Sequence, residues 1–201
     1  RRETIFRLGT LVASALFVIV VLSFGFPKVA SAATNINSTN KWAWNDSLGW
    51  MNFFSPGTVN ITPSLIQGYA VWESFAGSYM AFDCATSPNG NICSVSNFNV
   101  TNTSGTLAGW GWNDAVGWVS FNCSNQGTCA TSDYKVLINA TTGDFSGWAW
   151  NDDVGWISFN CTNQSTCATS DYGVTVAPGG AMSGYAWSEH VGWISFNAAD
   201  V

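Results

Sequence analysis

Between residues 145 and 161, large and small side chains alternate with the two-residue period of a β-strand. Trp148 and Trp150 share one side, with Gly147 and Ala149 opposite them. Further on, Ile157, Phe159 and Cys161 share one side, and Trp156, Ser158 and Asn160 the other. The two runs are separated by Asn151-Asp152-Asp153-Val154-Gly155. This is hairpin chemistry: Asn bonds its own backbone and Gly accepts positive φ. A shorter strand precedes each pair, at 134–138 and 172–176. Turn residues follow it at 140–144 and at Pro178-Gly179-Gly180. Gly, Asn and β-branched residues recur too often after residue 34 for a stable helix. The predicted unit is a three-stranded antiparallel meander.

The unit recurs about every 38 residues. Segments 108–138 and 146–176 align without a gap and share 22 of 31 residues. Segment 183–197 repeats the opening, a shorter copy spans 42–53, and a looser one runs from Gly68 to Cys84 with two extra residues before Tyr79. Such a period means one structural unit copied along the chain. Apolar groups occur on both faces of the strands, so one hairpin cannot bury them and neighbouring units must stack or close on one another. The expected fold is therefore all-β: about five tandem meanders in a sandwich-like or solenoidal stack. The alternative is a five-bladed propeller, whose blades usually need four strands.

Residues 1–33 follow a different pattern. Arg1, Arg2 and Arg7 precede an apolar stretch over residues 8–26, and Ala30-Ser31-Ala32 offers small residues to a signal peptidase. This reads as a hydrophobic helix serving as a secretory signal peptide, or as a retained membrane anchor of nearly spanning length. A pilin-type leader fits less well, because no processing site precedes Glu3. Residues 34–201 form the predicted repeat domain. It carries two lysines, Lys41 and Lys135, against eleven acids, a net charge of −9. So few cations cannot neutralise phosphates, which argues against nucleic acid or an anionic membrane surface as partner.

The six cysteines fall into local pairs, Cys84/Cys93, Cys123/Cys129 and Cys161/Cys167, the last two in equivalent Cys-(Ser/Thr)-Asn-Gln-x-Thr-Cys segments. An even count reads as disulfides and an extracytoplasmic, secreted or cell-surface location. A bridge within each copy survives duplication, and each contributes roughly 2–3 kcal/mol by loop entropy. The outer copies lack the pair, as terminal capping units would.

Candidate chemistry is sparse. His190, the sole histidine, stands where other copies have Ser47, Ala115 and Asp153, a variable loop tip. No nucleophile–base or metal-protease grouping surrounds it, so no enzyme activity or cofactor is expected. Its neighbours Asp46, Asp114, Asp152 and Glu189 are all acidic. They keep the loops polar, and Asp114, Asp152 and Glu189 are weak calcium candidates, since calcium needs six to eight oxygens. The twelve tryptophans recur at three set positions per copy. Packing residues behave this way, so most indoles are expected in the core or between repeats. Trp112, Trp150, Trp187 and His190 are the candidates for glycan or partner contact. Nine Asn-x-Ser/Thr sequons occur, a number that this Asn-, Ser- and Thr-rich composition generates by chance.

The phrases Gly147-Trp148-Ala149-Trp150…Gly155-Trp156-Ile157-Ser158-Phe159 and Gly184-Tyr185-Ala186-Trp187…Gly192-Trp193-Ile194-Ser195-Phe196 resemble those of secreted repeat proteins from candidate-phyla-radiation, Parcubacteria-like bacteria. The resemblance implies secretion and a bacterial source, and carries over no catalytic residue. The expected function is a structural or adhesive cell-surface protein. A carbohydrate-binding module using exposed Trp, or a filament subunit joining copies of itself, are the alternatives.

Overall fold

A computed structural model describes residues 34–75 and 77–196; the predicted leader, with its helix and cleavage site, lies outside the described residues. The chain forms β1 (Trp42–Asn45), β2 (Gly49–Asn52), β3 (Asn60–Ile61), β4 (Leu65–Gln67), β5 (Tyr69–Trp72), β6 (Tyr79–Ala81), β7 (Val100–Thr103), β8 (Thr106–Asn113), β9 (Gly117–Ser120), β10 (Val136–Ile138), β11 (Phe145–Asn151), β12 (Gly155–Ser158), β13 (Val174–Val176), β14 (Met182–Ser188) and β15 (Gly192–Ser195). Short 3-10 turns at Cys123–Asn125 and Cys161–Gln164 open two of the disulfide loops. The all-β prediction holds.

The open stack and the propeller give way to a closed barrel. Ten strands pair antiparallel in the order β1-β2-β5-β6-β8-β9-β11-β12-β14-β15, and β15 returns to β1 through Trp44 and Ser195. The ring is thus five hairpins, one from each copy of the phrase. Closure gives every ring strand two neighbours, which an open row cannot do for its ends.

Inside the ring, small faces large. Cross-strand partners within the hairpins are Ala43 with Met51, Ala70 with Met80, Gly111 with Val119, Ala149 with Ile157 and Ala186 with Ile194. A Cβ on Gly111 would stand 2.5 Å from the Met80 methyl. Below this layer lie Phe53, Phe82, Phe121, Phe159 and Phe196, one per hairpin, packed into the same core.

The hairpin loops are tied to each other. Asn151 Oδ1 accepts from the backbone N–H of Asp153 and Val154 at 2.9 and 2.8 Å, which shapes its own turn. Its Nδ2 donates to Val116 and Trp118 carbonyls of the preceding hairpin at 2.7 and 2.9 Å. Asn45 joins the first hairpin to the last in the same way, through Val191 and Trp193 carbonyls. Ser188 Oγ donates to Val154 O across the intervening seam. These bonds matter because the seams pair only one or two residues each.

The remaining strands form a second tier at the other end. The early halves of β8, β11 and β14 leave the ring to pair with β7, β10 and β13. The change of partner occurs at one glycine per strand. Gly147 has φ +79, and a Cβ there would lie 1.9 Å from Lys135 O. Asp144 links this tier, accepting from Thr142 and Thr175 hydroxyls at 2.7 Å each. Those bonds, Thr142 first, hold its carboxyl below the usual carboxylate range.

Gly147→Ala is expected to cost about 2–4 kcal/mol in urea denaturation. Gly179→Ala, with no atom near the added methyl, stays within about 0.5 kcal/mol; equal effects would count against the tier junction. Because the folded-state pKa of Asp144 is depressed, its contribution is present above its unfolded value and is lost as pH falls through the folded one. Asp144→Asn should therefore flatten the acid limb of stability against pH, and an unchanged acid limb would remove Asp144 from that account.

Candidate functional site

Inward alanines leave the aromatic positions nowhere to go but out. Trp44 faces Trp50 across the first hairpin, Val71 faces Tyr79, Trp112 faces Trp118, Trp150 faces Trp156 and Trp187 faces Trp193, all on the outer wall. Of the two expected places for the indoles, the core is corrected, and packing between repeats is seen for Trp156 against Tyr134 and Trp193 against Tyr172. Eleven are half-buried or exposed, with Trp118 and Trp193 at 39% and 43%, and only Trp72 is buried. The side chains of a hairpin do share faces as the alternation predicts; the small face is the inner one.

The outward rings are held against each other. Trp156 lies between Trp148 and Trp150, at 6.1 and 4.7 Å between centroids, and meets Tyr134 of the preceding copy at 5.0 Å. Trp193 has the same surroundings in Tyr185, Trp187 and Tyr172, and Trp118 in Trp110, Trp112 and Phe98. Most of these contacts are edge-to-face, the arrangement that ring quadrupoles favour. Three four-ring clusters thus lie on successive hairpins. Trp112, Trp150 and Trp187 each belong to one of them.

Beside the middle cluster, Ser132, Asp133, Tyr134, Trp148 and Trp156 line a cleft of about 200 Å³. Asp133 Oδ1 stands 3.6 Å from Cys123 Sγ; Asp171 and Asn97 hold the same relation to Cys161 and Cys84, at 3.5 and 3.6 Å. Each cluster is thereby flanked by one polar oxygen at a fixed place.

The disulfide loops build this wall. Cys84–Cys93, Cys123–Cys129 and Cys161–Cys167 form as the local pairs predicted. Inside the last loop, Asn163 presents its amide to Gly147. Its Oδ1 accepts from Gly147 N–H at 2.9 Å, and its Nδ2 donates to Gly147 O at 2.6 Å and Ser158 Oγ at 2.9 Å. Asn125 does the same for Gly109 and Ser120. The Tyr134 and Tyr172 hydroxyls close the network on Ser120 and Ser158 at 2.8 Å. Sequence reasoning passed over these Asn and Tyr residues. Their identity between the two best-matched copies was the available signal.

The other candidates are not gathered into a site. Asp114 Oδ1 accepts from Tyr79 N–H at 2.8 Å and Asp152 Oδ1 from Trp150 Nε1 at 3.0 Å, while Glu189 is exposed on the last hairpin. The acids mark separate loops. Among the described residues, the groupings with ligand-like spacing are Cys123/Cys129/Asp133 and Cys161/Cys167/Asp171; their sulfurs are tied in disulfides and offer no thiolate. His190 sits exposed at its tip, with Nδ1 2.9 Å from Asp153 O. Comparison with known proteins returned no match, whether to a protein-family model, a curated protein or a solved structure.

Asn163→Ala is expected to destabilise the chain by about 2 kcal/mol, because it leaves the Gly147 N–H without an acceptor and Gly147 O with the Phe159 N–H alone. Gln164→Ala, at an exposed neighbour, should change stability by less than about 0.5 kcal/mol. Equal urea midpoints for the two variants would contradict the role given to Asn163.

Proposed function

We propose that this chain is a non-catalytic, adhesive module that binds glycans outside the cytoplasm through the repeated aromatic clusters of its outer wall. The observation that carries the proposal is the half-exposed ring cluster beside a polar oxygen, present three times at equivalent positions. An indole face offers an apolar plane to the C–H face of a sugar ring, and a carboxylate beside it accepts from the ring hydroxyls. Edge-to-face neighbours already hold the indole in place, so little side-chain freedom is lost on binding. Clusters on one wall reach a polymeric glycan together, and linked sites gain about 10²–10⁴ in avidity. A polyanion is a poor fit to a domain of net charge −9.

Three disulfides suit an oxidising compartment, and a secretory leader over residues 1–33 would deliver the chain there. The outer belt differs from the girdle of a membrane barrel. Such barrels need strands of about 9–11 residues and keep polar groups inside; here the longest strand among the described residues has 8 residues and the inward face is apolar. The filament alternative relies on an unpaired edge strand; each of the ten ring strands has two neighbours, so the strand edge open to that reading is β3, which pairs with β4.

Tryptophan fluorescence of residues 34–201, titrated with soluble and polymeric glycans, tests the proposal. A saturable shift is expected with at least one polysaccharide, weakened about tenfold by Trp156→Ala and by Asp133→Asn at unchanged circular dichroism. Emission indifferent to every glycan, or binding indifferent to both substitutions, would remove the clusters from the function.

A further inference from the structure

An ammonium group already meets the outer wall at one place. Lys41 Nζ stands 5.0 Å from the centroid of the Trp42 ring and 5.5 Å from that of Phe54. The negative face of an aromatic ring attracts a cation, and indole does so most strongly. Trp42 pairs with Asn52 in the first hairpin as Trp148 pairs with Ser158 in the fourth. The two indoles therefore hold the same position, and Trp148 lines the cleft beside the middle cluster. Where the first copy has Lys41, however, the later copies have Gly109, Gly147 and Gly184. Among the described residues no ring contact is seen for the other lysine, Lys135, whose counterpart in the next copy is Gly173.

The later clusters are bordered by carboxylates instead. Asp133 shares the cleft with Tyr134, Trp148 and Trp156. On the same cluster, Asp152 Oδ1 accepts from the Trp150 indole N–H at 3.0 Å. Asp171 holds the place of Asp133 beside the last cluster, whose Trp193 is 43% exposed. An ammonium placed there gains a charge-assisted hydrogen bond to the carboxylate and the attraction of the ring face together. The field of the whole domain acts in the same direction, since a net charge of −9 draws cations and repels anions.

We propose that the glycan held by these clusters carries free amino groups: it is a polymer of hexosamine units whose ammonium nitrogens sit between Asp133 or Asp171 and the neighbouring rings. This rests on the glycan reading and names the class of sugar. The ligand supplies at the middle and last clusters what Lys41 supplies at Trp42. A basic peptide offers the charge without the C–H face of a sugar ring, and is the weaker ligand. The Trp118 cluster has Asn97 where the others have Asp133 and Asp171, so it discriminates less between charged and neutral sugars.

Calorimetric titration of the whole chain with a glucosamine hexamer, its fully N-acetylated counterpart and hexalysine tests this, in mildly acidic buffer that keeps the amines protonated. The glucosamine hexamer is expected to bind about tenfold tighter than the acetylated one. The gap should narrow as salt rises from about 0.01 M to 1 M and the Debye length falls from roughly 30 to 3 Å. Asp133→Asn combined with Asp171→Asn should remove most of the gap and leave the acetylated hexamer unchanged. Asn97 shows that the fold accepts asparagine at this place, and the salt series needs no variant. Equal affinities for the two hexamers, a gap indifferent to salt, a gap that survives in the folded double variant, or hexalysine binding as tightly as the glucosamine hexamer would each overturn the inference. Binding of neither hexamer overturns it as well; the glycan reading is then decided separately, by whether neutral polysaccharides shift the tryptophan emission.

Discussion

The structure depends on what can stand between two outward aromatics. A closed ring has one inner face, and each hairpin contributes to it one residue from its first strand directly opposite one from its second. Opposite Met51, Met80, Val119, Ile157 and Ile194 the facing position is alanine or glycine in every hairpin. Once that position is small and inward, strand alternation sends Trp44, Trp112, Trp150 and Trp187 outward. The indoles are thus displaced to the surface by the same constraint that lets the wall close.

Two consequences follow on the two sides of the wall. Outside, rings that cannot enter the core bury part of their area against each other, and the segment after each disulfide loop of the preceding copy adds Tyr134, Tyr172 or Phe98 to each group. The result is a firm aromatic surface with polar oxygens at its margin. Inside, small residues around ten strands leave room that eight strands would not, and the hairpin that departs most from the pattern sets Trp72 against that room. Local cross-links keep both sides in register: Asn125 and Asn163, inside two of the disulfide loops, and Asp83, just before the third, reach back to the strand.

Much of this was legible in the sequence, and the limits are physical. The period of two located both strands of each hairpin around Gly155, and duplication identified the three disulfides, because both features are local. Closure was not legible. It rests on pairs such as Asn151 with Val119 and Trp44 with Ser195, which join separate copies and leave no mark on either copy's pattern. Alternation also assigns side chains to shared faces without saying which face is inside, so the regular spacing of Trp148, Trp150 and Trp156 looked like packing. The second role of Asn151 was hidden for a similar reason: its turn is local, but the carbonyls its amide reaches belong to another hairpin. Trp72 was hidden too, since it stands at the position of Asn151 and so falls outside the regular spacing of the other indoles.

The central claim is that the indoles clothe the barrel and only one enters it. Nitrogen-15 spectra of the twelve indole N–H groups, recorded with a soluble gadolinium chelate, test this residue by residue. The account predicts attenuation of eleven signals and protection of Trp72 alone. Protection of Trp148, Trp150 and Trp156 together with Trp72 would place the phrase in the core and contradict it.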